Sequence, residues 1–381
     1  MKVVIIGSRG IPAKYGGFET FADGLSTRLA EKGYDITVSC EFEDPKTRID
    51  NYNGVKLCHF PIKPPKSYFL RKFYENLSDI YFLLKLTNKN DIVYFLGTEV
   101  GIFLFIPKLL KRDIKLIVNI DGVMWKRTKF NKLERWLLKI NHHFATKFAD
   151  IIIADAEEMK KYVDSKYREK AVFIPYGVEE PETVEWNDEK LKKLESFYNI
   201  DLSKDKFWLV VARLEPENNI LTIVKGFSNA NSQYPLVIVG DFTSKEYKNE
   251  VRAIASKSNN IHLVGSIYEL ELLNMLRQNN FAYIHGHTVG GTNPSLLEAM
   301  IMKNIILAHD NGFNREVLGD CGIYFKDFTD LNVKVKLIEN SEFYLNLKNK
   351  TQLKVKMEYL SDKVYHDYEL LFDNQKNLNI I

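Results

Sequence analysis

Short continuous runs of Val and Ile alternate along this chain with segments of helical period, and the alternation begins again halfway. In the first half the apolar runs fall at residues 2–7, 35–40, 55–60, 91–96, 115–120, 151–154 and 171–174. Between them lie segments such as Phe18, Phe21, Ala22, Leu25 and Leu29, spaced for one face of a helix. Strands apolar on both faces and separated by helices imply a parallel sheet covered on both sides. The second half repeats the scheme at 207–212, 235–240, 261–264, 281–285 and 305–308. The expected fold is therefore α/β, with two doubly wound Rossmann-like domains. The boundary is set at Pro175-Tyr176-Gly177, ahead of an acidic stretch at 178–187. Residues 1–175 form one domain and 176–359 the other, and a final helix at about 360–381 is expected to return to the first.

Several classes are excluded. The opening apolar run is too short for a signal peptide. The longest, at 95–110, is broken by Gly97, Glu99, Gly101, Pro107 and Lys108, and falls short of the roughly 20 residues a spanning helix needs. Cys40, Cys58 and Cys321 form no CxxC pair, so neither a disulfide framework nor a zinc site is expected, and a cytoplasmic location fits. Net charge is +3, unevenly divided: residues 1–150 hold 25 Lys and Arg against 16 Asp and Glu, the remainder 28 against 34. A basic first half is expected to meet an anionic surface or ligand; the alternative is a solvated face.

Four segments carry residues suited to chemistry. Gly7-Ser8-Arg9-Gly10-Ile11-Pro12-Ala13-Lys14-Tyr15-Gly16-Gly17-Phe18-Glu19 follows the first strand and opens the first helix, at the carboxyl edge where parallel sheets bind ligands. Its glycines let backbone N–H groups approach a ligand, or they serve a long turn for backbone reasons alone. The spacing is not GxGxxG. Asp121 stands at the end of another strand, followed by Gly122. There a carboxylate can bond sugar hydroxyls or face positive charge at an anomeric carbon; the alternative is an Asx turn. Arg213, after the first strand of the second sheet, is placed to reach a diphosphate, or is a surface arginine. The fourth segment is His285-Gly286-His287-Thr288-Val289-Gly290-Gly291-Thr292-Asn293-Pro294-Ser295-Leu296-Leu297-Glu298. Gly290, Gly291, Thr292 and Asn293 open a helix with proline at its start, a setting in which N–H groups and the helix dipole hold phosphate. Glu298 lies a turn inside, where its carboxylate can accept two ribose hydroxyls; otherwise it is an ordinary helix glutamate. His285 and His287 are weak metal-ligand candidates. The chain has no Asp-x-Asp, so neither a metal nor a cofactor is expected.

These motifs resemble the retaining glycosyltransferases of the GT-B fold (the family 4 type), over almost the whole chain. The stretch from Gly7 to Glu19 and the run from Gly290 to Met300 resemble more narrowly the rhamnosyltransferases of bacterial capsule and cell-surface polysaccharide assembly. The resemblance implies two domains facing across a cleft, with the C-terminal helix crossing back. It implies a metal-independent hexosyltransferase that moves a sugar, expected to be L-rhamnose from dTDP-L-rhamnose, to a saccharide acceptor with retention. The acceptor is expected to be linked to a polyprenyl diphosphate. Glu298 matches the second glutamate of the family's Glu-x7-Glu motif, which binds the donor ribose. Arg213 matches the arginine on the donor diphosphate, and Asp121 falls near the transferred sugar. The turn Gly265-Ser266-Ile267 falls where Gly265 and Ile267 read the base. Arg9, Gly10, Lys14, Tyr15, Gly16, Gly17, Phe18 and Glu19 would line the acceptor side. Three positions depart from the pattern: Gly290 stands for the first glutamate, Asn218 for a lysine, and Met124 for a glutamate after Asp121.

Two basic clusters interleave with aromatics. Lys63, Lys66, Arg71 and Lys72 flank Tyr68, Phe69, Phe73 and Tyr74; Lys126, Arg127, Lys129, Lys132, Arg135 and Lys139 flank Trp125, Phe130 and Trp136. Peripheral contact with an anionic membrane, on the inner face of the plasma membrane, is the expectation. No nucleic-acid partner is expected. Rival readings are a nucleotide-sugar epimerase of the same fold, a non-catalytic nucleotide-sugar-binding protein and, more distantly, an NAD-dependent dehydrogenase.

Overall fold

The structure is a computed structural model that describes residues 1–13, 17–120, 122–127, 130–190 and 202–378. The chain divides into two compact units, Met1–Tyr176 with Val364–Ile381, and Gly177–Lys363.

The first unit is built on eight strands: β1 (Lys2–Ile6), β2 (Asp35–Cys40), β3 (Asn51–Tyr52), β4 (Val55–His59), β5 (Ile92–Leu96), β6 (Lys115–Asn119), β7 (Ile151–Ala154) and β8 (Ala171–Phe173). Their order is β3-β4-β2-β1-β5-β6-β7-β8. All neighbours pair in parallel except β3 and β4, a hairpin about Asn53-Gly54, both at positive φ (45° and 80°). An Asn-Gly pair with that backbone is the two-residue hairpin turn whose twist matches the strands. β1 and β5 are buried almost throughout, as the centre of a covered parallel sheet requires.

One face of this sheet is packed by the helix Gly17–Glu31, which buries Phe21, Ala22, Leu25 and Leu29 against Val3, Ile5 and Tyr94. The last helix, Ser361–Leu378, brings Val364, Tyr368 and Phe372 to the same core. The Tyr94 and Tyr368 hydroxyls meet at 2.9 Å, and Arg28 Nε donates to Glu369 Oε1 at 3.3 Å. The last helix thus completes the core of the first unit: Tyr368 packs tilted on Phe21 and Phe372 edge-on to Tyr94, which would otherwise lie open to water.

The second unit holds β9 (Trp208–Val211), β10 (Leu236–Val239), β11 (Ile261–Gly265), β12 (Ala282–His285), β13 (Ile306–His309) and β14 (Ile323–Phe325), ordered β11-β10-β9-β12-β13-β14 and parallel throughout. Alternation along the strands divides its core in two. Leu209, Val237, Tyr283 and Ile306 face Leu296, Leu297 and Met300 of the helix Pro294–Ile301. Trp208, Val210, Ile238, Ile284 and Leu307 face Ile223, Val224 and Phe227 of the helix Ile220–Ala230.

In both units the strand order reverses beside the unit's first strand, between β1 and β5 and between β9 and β12. Such reversals part the flanking loops and open a crevice at the carboxyl ends of the strands.

Candidate functional site

At the reversal in the second unit, the loop after β9 carries Arg213 and Asn218, and the loop after β12 carries His287 and Gly290. Asn218 is buried and ties the two loops together. Its Nδ2 donates to the Arg213 carbonyl at 2.7 Å, and its Oδ1 lies 2.8 Å from His287 Nδ1. With Nδ2 donating, Oδ1 is the acceptor, so His287 Nδ1 carries the hydrogen of this bond, and Nε2 lies on the side of Gly290. Thr288 adds two bonds to the Glu217 carbonyl, from N at 3.0 Å and Oγ1 at 2.8 Å. Asn311 and Asn314 both donate to the His287 carbonyl, at 2.8 and 3.0 Å. Asn218, which replaces the lysine expected from the resemblance, is thus a tie between loops. His287 is its hydrogen-bonded partner. Among the described residues no group of three or more His, Cys, Asp or Glu is placed to hold a metal.

Gly290 has φ +142°, a conformation that side chains rarely adopt, and a Cβ there would lie 3.0 Å from His287 Nε2. A side chain at 290, including the glutamate of the pattern, is therefore strained by the backbone of this loop. The loop ends at Asn293, whose Oδ1 caps the next helix by accepting from Ser295 N (3.0 Å) and Ser295 Oγ (2.8 Å). The cap satisfies one N–H of the first turn and fixes where the helix dipole begins. Arg213 is exposed and stands 3.9 Å from the buried Glu215, so its guanidinium is accessible to an anion.

Glu298, on the same helix, is half-buried and paired with Arg277 of the helix Leu270–Gln278. Burial pushes its carboxyl above the ordinary range, and Arg277 pulls it back. Tyr283 lies close by: its hydroxyl donates to the Val211 carbonyl at 3.0 Å, and burial raises its pKa. His285 is buried at the end of β12, held neutral first by burial and then by His287 and His309. Gly265 and Ile267 sit on the neighbouring turn. There Ser266 Oγ donates to Asp241 Oδ2 at 2.6 Å, and Ile267 packs on the core beneath.

In the first unit, Gly7 and Gly10 both have positive φ. A Cβ at Gly7 would come within 2.2 Å of the Leu96 carbonyl oxygen, and one at Gly10 within 2.7 Å of Cys40, so chain packing alone demands glycine at both. Arg9 donates from its backbone N to Glu19 Oε1 at 3.0 Å, and its guanidinium lies 3.2 Å from Glu75 and 3.7 Å from Glu41. Gly17 and Phe18 begin the first helix. Lys14, Tyr15, Gly16 and Asp121 lie outside the described residues.

The basic–aromatic clusters divide between surface and core. Tyr74 is buried against Phe60, and Trp125 packs edge-on against His142 at 4.4 Å. Phe73 and Trp136 are 61% and 59% exposed. Leu70, Phe73, Leu77 and Leu84 form an outward stripe on the helix Tyr68–Leu86, and Leu133, Trp136 and Leu137 do so on the helix Lys132–Phe148. The two helices are joined by Lys72 and Glu134, 2.9 Å apart. No described helix is long and apolar enough to cross a membrane.

Sequence reasoning found most of these positions but missed Arg277, a charged residue in an amphipathic helix with nothing local to mark it. It also missed the ties made by Asn218, Asn311 and Asn314.

Comparison with known proteins adds identity to this geometry. Residues 193–354 match the family model "Glycosyl transferases group 1", and residues 1–179 match a domain of unknown function, DUF1972. An uncharacterized glycosyltransferase of Methanocaldococcus jannaschii is 23% identical over 253 residues, 61% of this chain and 59% of that protein. An uncharacterized protein in the cps region of Klebsiella pneumoniae is 26% identical over 140 residues, 34% of each chain. Both matches thus span less than two thirds of the relative's length. Among solved structures, sucrose-phosphate synthase from Thermosynechococcus elongatus superimposes with a TM-score of 0.77 at 14% identity over 99% of both chains. The Anabaena protein HepE in complex with UDP-glucose gives 0.75 at 15% identity over 98% of this chain and 100% of that one. The fold is that of the GT-B glycosyltransferases, and the second unit carries a group 1 glycosyltransferase domain.

Proposed function

We propose, from a second unit that carries a group 1 glycosyltransferase domain, that this chain transfers a sugar from a nucleotide-sugar donor to a saccharide acceptor. The observation that carries the reading is the junction of the loops after β9 and β12. Arg213, the Gly290 backbone and the capped start of the helix Pro294–Ile301 collect at one strand-order reversal. That is a setting for a diphosphate: a planar cation, N–H groups free of side chains, and a helix N-terminus. Arg213, Gly291, Thr292 and Asn293 are assigned to the diphosphate, Glu298 to the ribose, and Gly265 and Ile267 to the base. As the donor bond breaks, charge grows on the leaving diphosphate, and fixed donors stabilise it without reorganising. The donor is proposed to be dTDP-L-rhamnose, transferred with retention by same-face attack. Asp121 would face the developing positive charge, and Arg9, Gly10, Lys14 to Phe18 and Glu19 would serve the acceptor.

The acceptor is proposed to be a polyprenyl-diphosphate-linked saccharide of capsular or other cell-surface polysaccharide synthesis. The apolar stripes that include Phe73 and Trp136 beside basic residues support peripheral docking. The match to a protein in a cps region supports the capsule role. The deciding experiment is release of nucleoside diphosphate with and without acceptor. Release that depends on acceptor is expected. Donor isomerised without acceptor would establish an epimerase, and binding without turnover a non-catalytic protein.

A further inference from the structure

The longest apolar run of the sequence, residues 95–110, does not stay inside the first unit. Its start closes β5 and is buried, but Ile102, Phe103, Phe105, Leu109 and Leu110 are all exposed, Leu109 by 76%. Five large apolar side chains open to water within nine positions form the kind of patch that marks a contact surface. The segment is fastened to the unit through its backbone and its lysines. Ile102 N donates to Asn141 Oδ1 at 3.1 Å, and a Cβ at Gly101 would come within 1.8 Å of the Asn141 carbonyl oxygen. Phe105 meets Phe148 edge-on at 6.0 Å. Lys108 reaches Asp150 at 2.7 Å, and Lys111 donates to the Asn90 carbonyl at 2.7 Å. The helix Ile106–Leu110 also packs on the helix Tyr68–Leu86. The segment thus touches both helices that carry the outward stripes.

The unpaired charges around it have one sign. The acidic residues of the two helices are Glu75, Asp79 and Glu134. Glu75 is met by Arg9 and Arg71, and Glu134 by Lys72; burial pushes the Asp79 carboxyl well above the ordinary range. Lys132, Lys139 and Lys147 are exposed and have no acidic partner among the described residues. Lys132 and Lys139 stand one turn either side of Trp136, and Lys147 lies over the Phe144 and Phe148 rings. Apolar side chains rimmed by unpaired cations match the two layers of an anionic leaflet, acyl chains and phosphates. We infer that residues 102–110 enter the acyl layer of an anionic membrane, with Lys132, Lys139 and Lys147 at the phosphates. This rests on the reading that the first unit docks on a membrane, and it names the element that inserts.

The test uses the full chain and vesicles of phosphatidylcholine and phosphatidylglycerol brominated on the acyl chains. Leu109→Trp is made in a Trp136→Phe parent, so that the added emission comes from position 109. That emission is expected to shift to the blue and to be quenched by the bromines. Unquenched emission from a chain that floats with the vesicles overturns the inference and leaves surface docking standing. Phe103→Ser with Leu109→Ser is expected to weaken partition to the vesicles by about tenfold or more. Leu353→Ser, at an exposed position of the second unit, is expected to leave it unchanged. Partition of the double variant equal to wild type, or an equal loss in Leu353→Ser, also overturns the inference. A wild type that floats with no vesicles removes the docking reading itself, and the inference with it. If that wild type also self-associates in gel filtration and Leu109→Ser abolishes the association, the face belongs to a second copy of the chain.

Discussion

Gly290 offers the sharpest test of why this chain departs from the motif it resembles. Its φ of +142° is a region that side chains adopt only under strain, and a Cβ would press to 3.0 Å from His287 Nε2. Strain of this kind costs about 1–3 kcal/mol. For a unit the size of Gly177–Lys363, each kcal/mol lowers the melting midpoint by about 2–4 °C, so Gly290→Ala is expected to lose about 2–12 °C. Because His287 also holds Asn218, the push at 290 is passed to the tie between the two loops, and nucleotide diphosphate should stabilise the variant less than the wild type. Scanning calorimetry of the full chain with and without nucleotide reads both effects in the transition that the ligand moves. A variant melting within about 1 °C of wild type, with the same ligand shift, would refute the argument. Gly290→Glu, which restores the expected glutamate, should do worse than alanine. A gain in turnover would show that the loop accepts a side chain after all.

Activity is expected to survive EDTA, because in the proposed function Arg213 and loop N–H groups would face the diphosphate in place of a cation; complete loss restored by Mg²⁺ would contradict this. Asp121→Asn should lower kcat more than donor affinity, since in the proposed role its charge would act chiefly as the anomeric carbon becomes cationic; equal losses would point to an ordinary contact or a strand cap. Burial lowers the pKa of His142 to about 4, so the folded state keeps the ring neutral while the unfolded chain titrates near 6.5. Its contribution is therefore complete above pH 6.5 and fades as pH falls toward 4, by about 3 kcal/mol in all. Urea melts at pH 7 and 4.5 should show the loss, and His142→Phe should flatten it; an unchanged slope in the variant would assign the acid sensitivity elsewhere. Flotation should recover the chain with anionic vesicles at low salt and not with neutral ones, and Phe73→Ser with Trp136→Ser should abolish recovery. Equal recovery with both vesicle types would remove the electrostatic part of that proposal.

Twelve of the fourteen strands among the described residues could be read from the chain as apolar runs, because a strand covered on both faces must be apolar along its length. The two missed are the two-residue β3, marked only by Asn53-Gly54, and the three-residue edge strand β14. The same patterns put Arg213 and Gly290–Asn293 at strand ends. What each residue does there is a different matter, because in a parallel sheet every neighbouring strand lies across a crossover. Asn218 and His287 are 69 positions apart, and Arg277 and Glu298 are 21 apart. No local period couples such pairs. The positive φ of Gly290 is likewise imposed by where its loop must pass His287. Residue chemistry and periodicity determined the sheets and the candidate positions. Only the packed chain decided that Asn218 is a tie, that a side chain at 290 is strained, and that Glu298 is paired with Arg277.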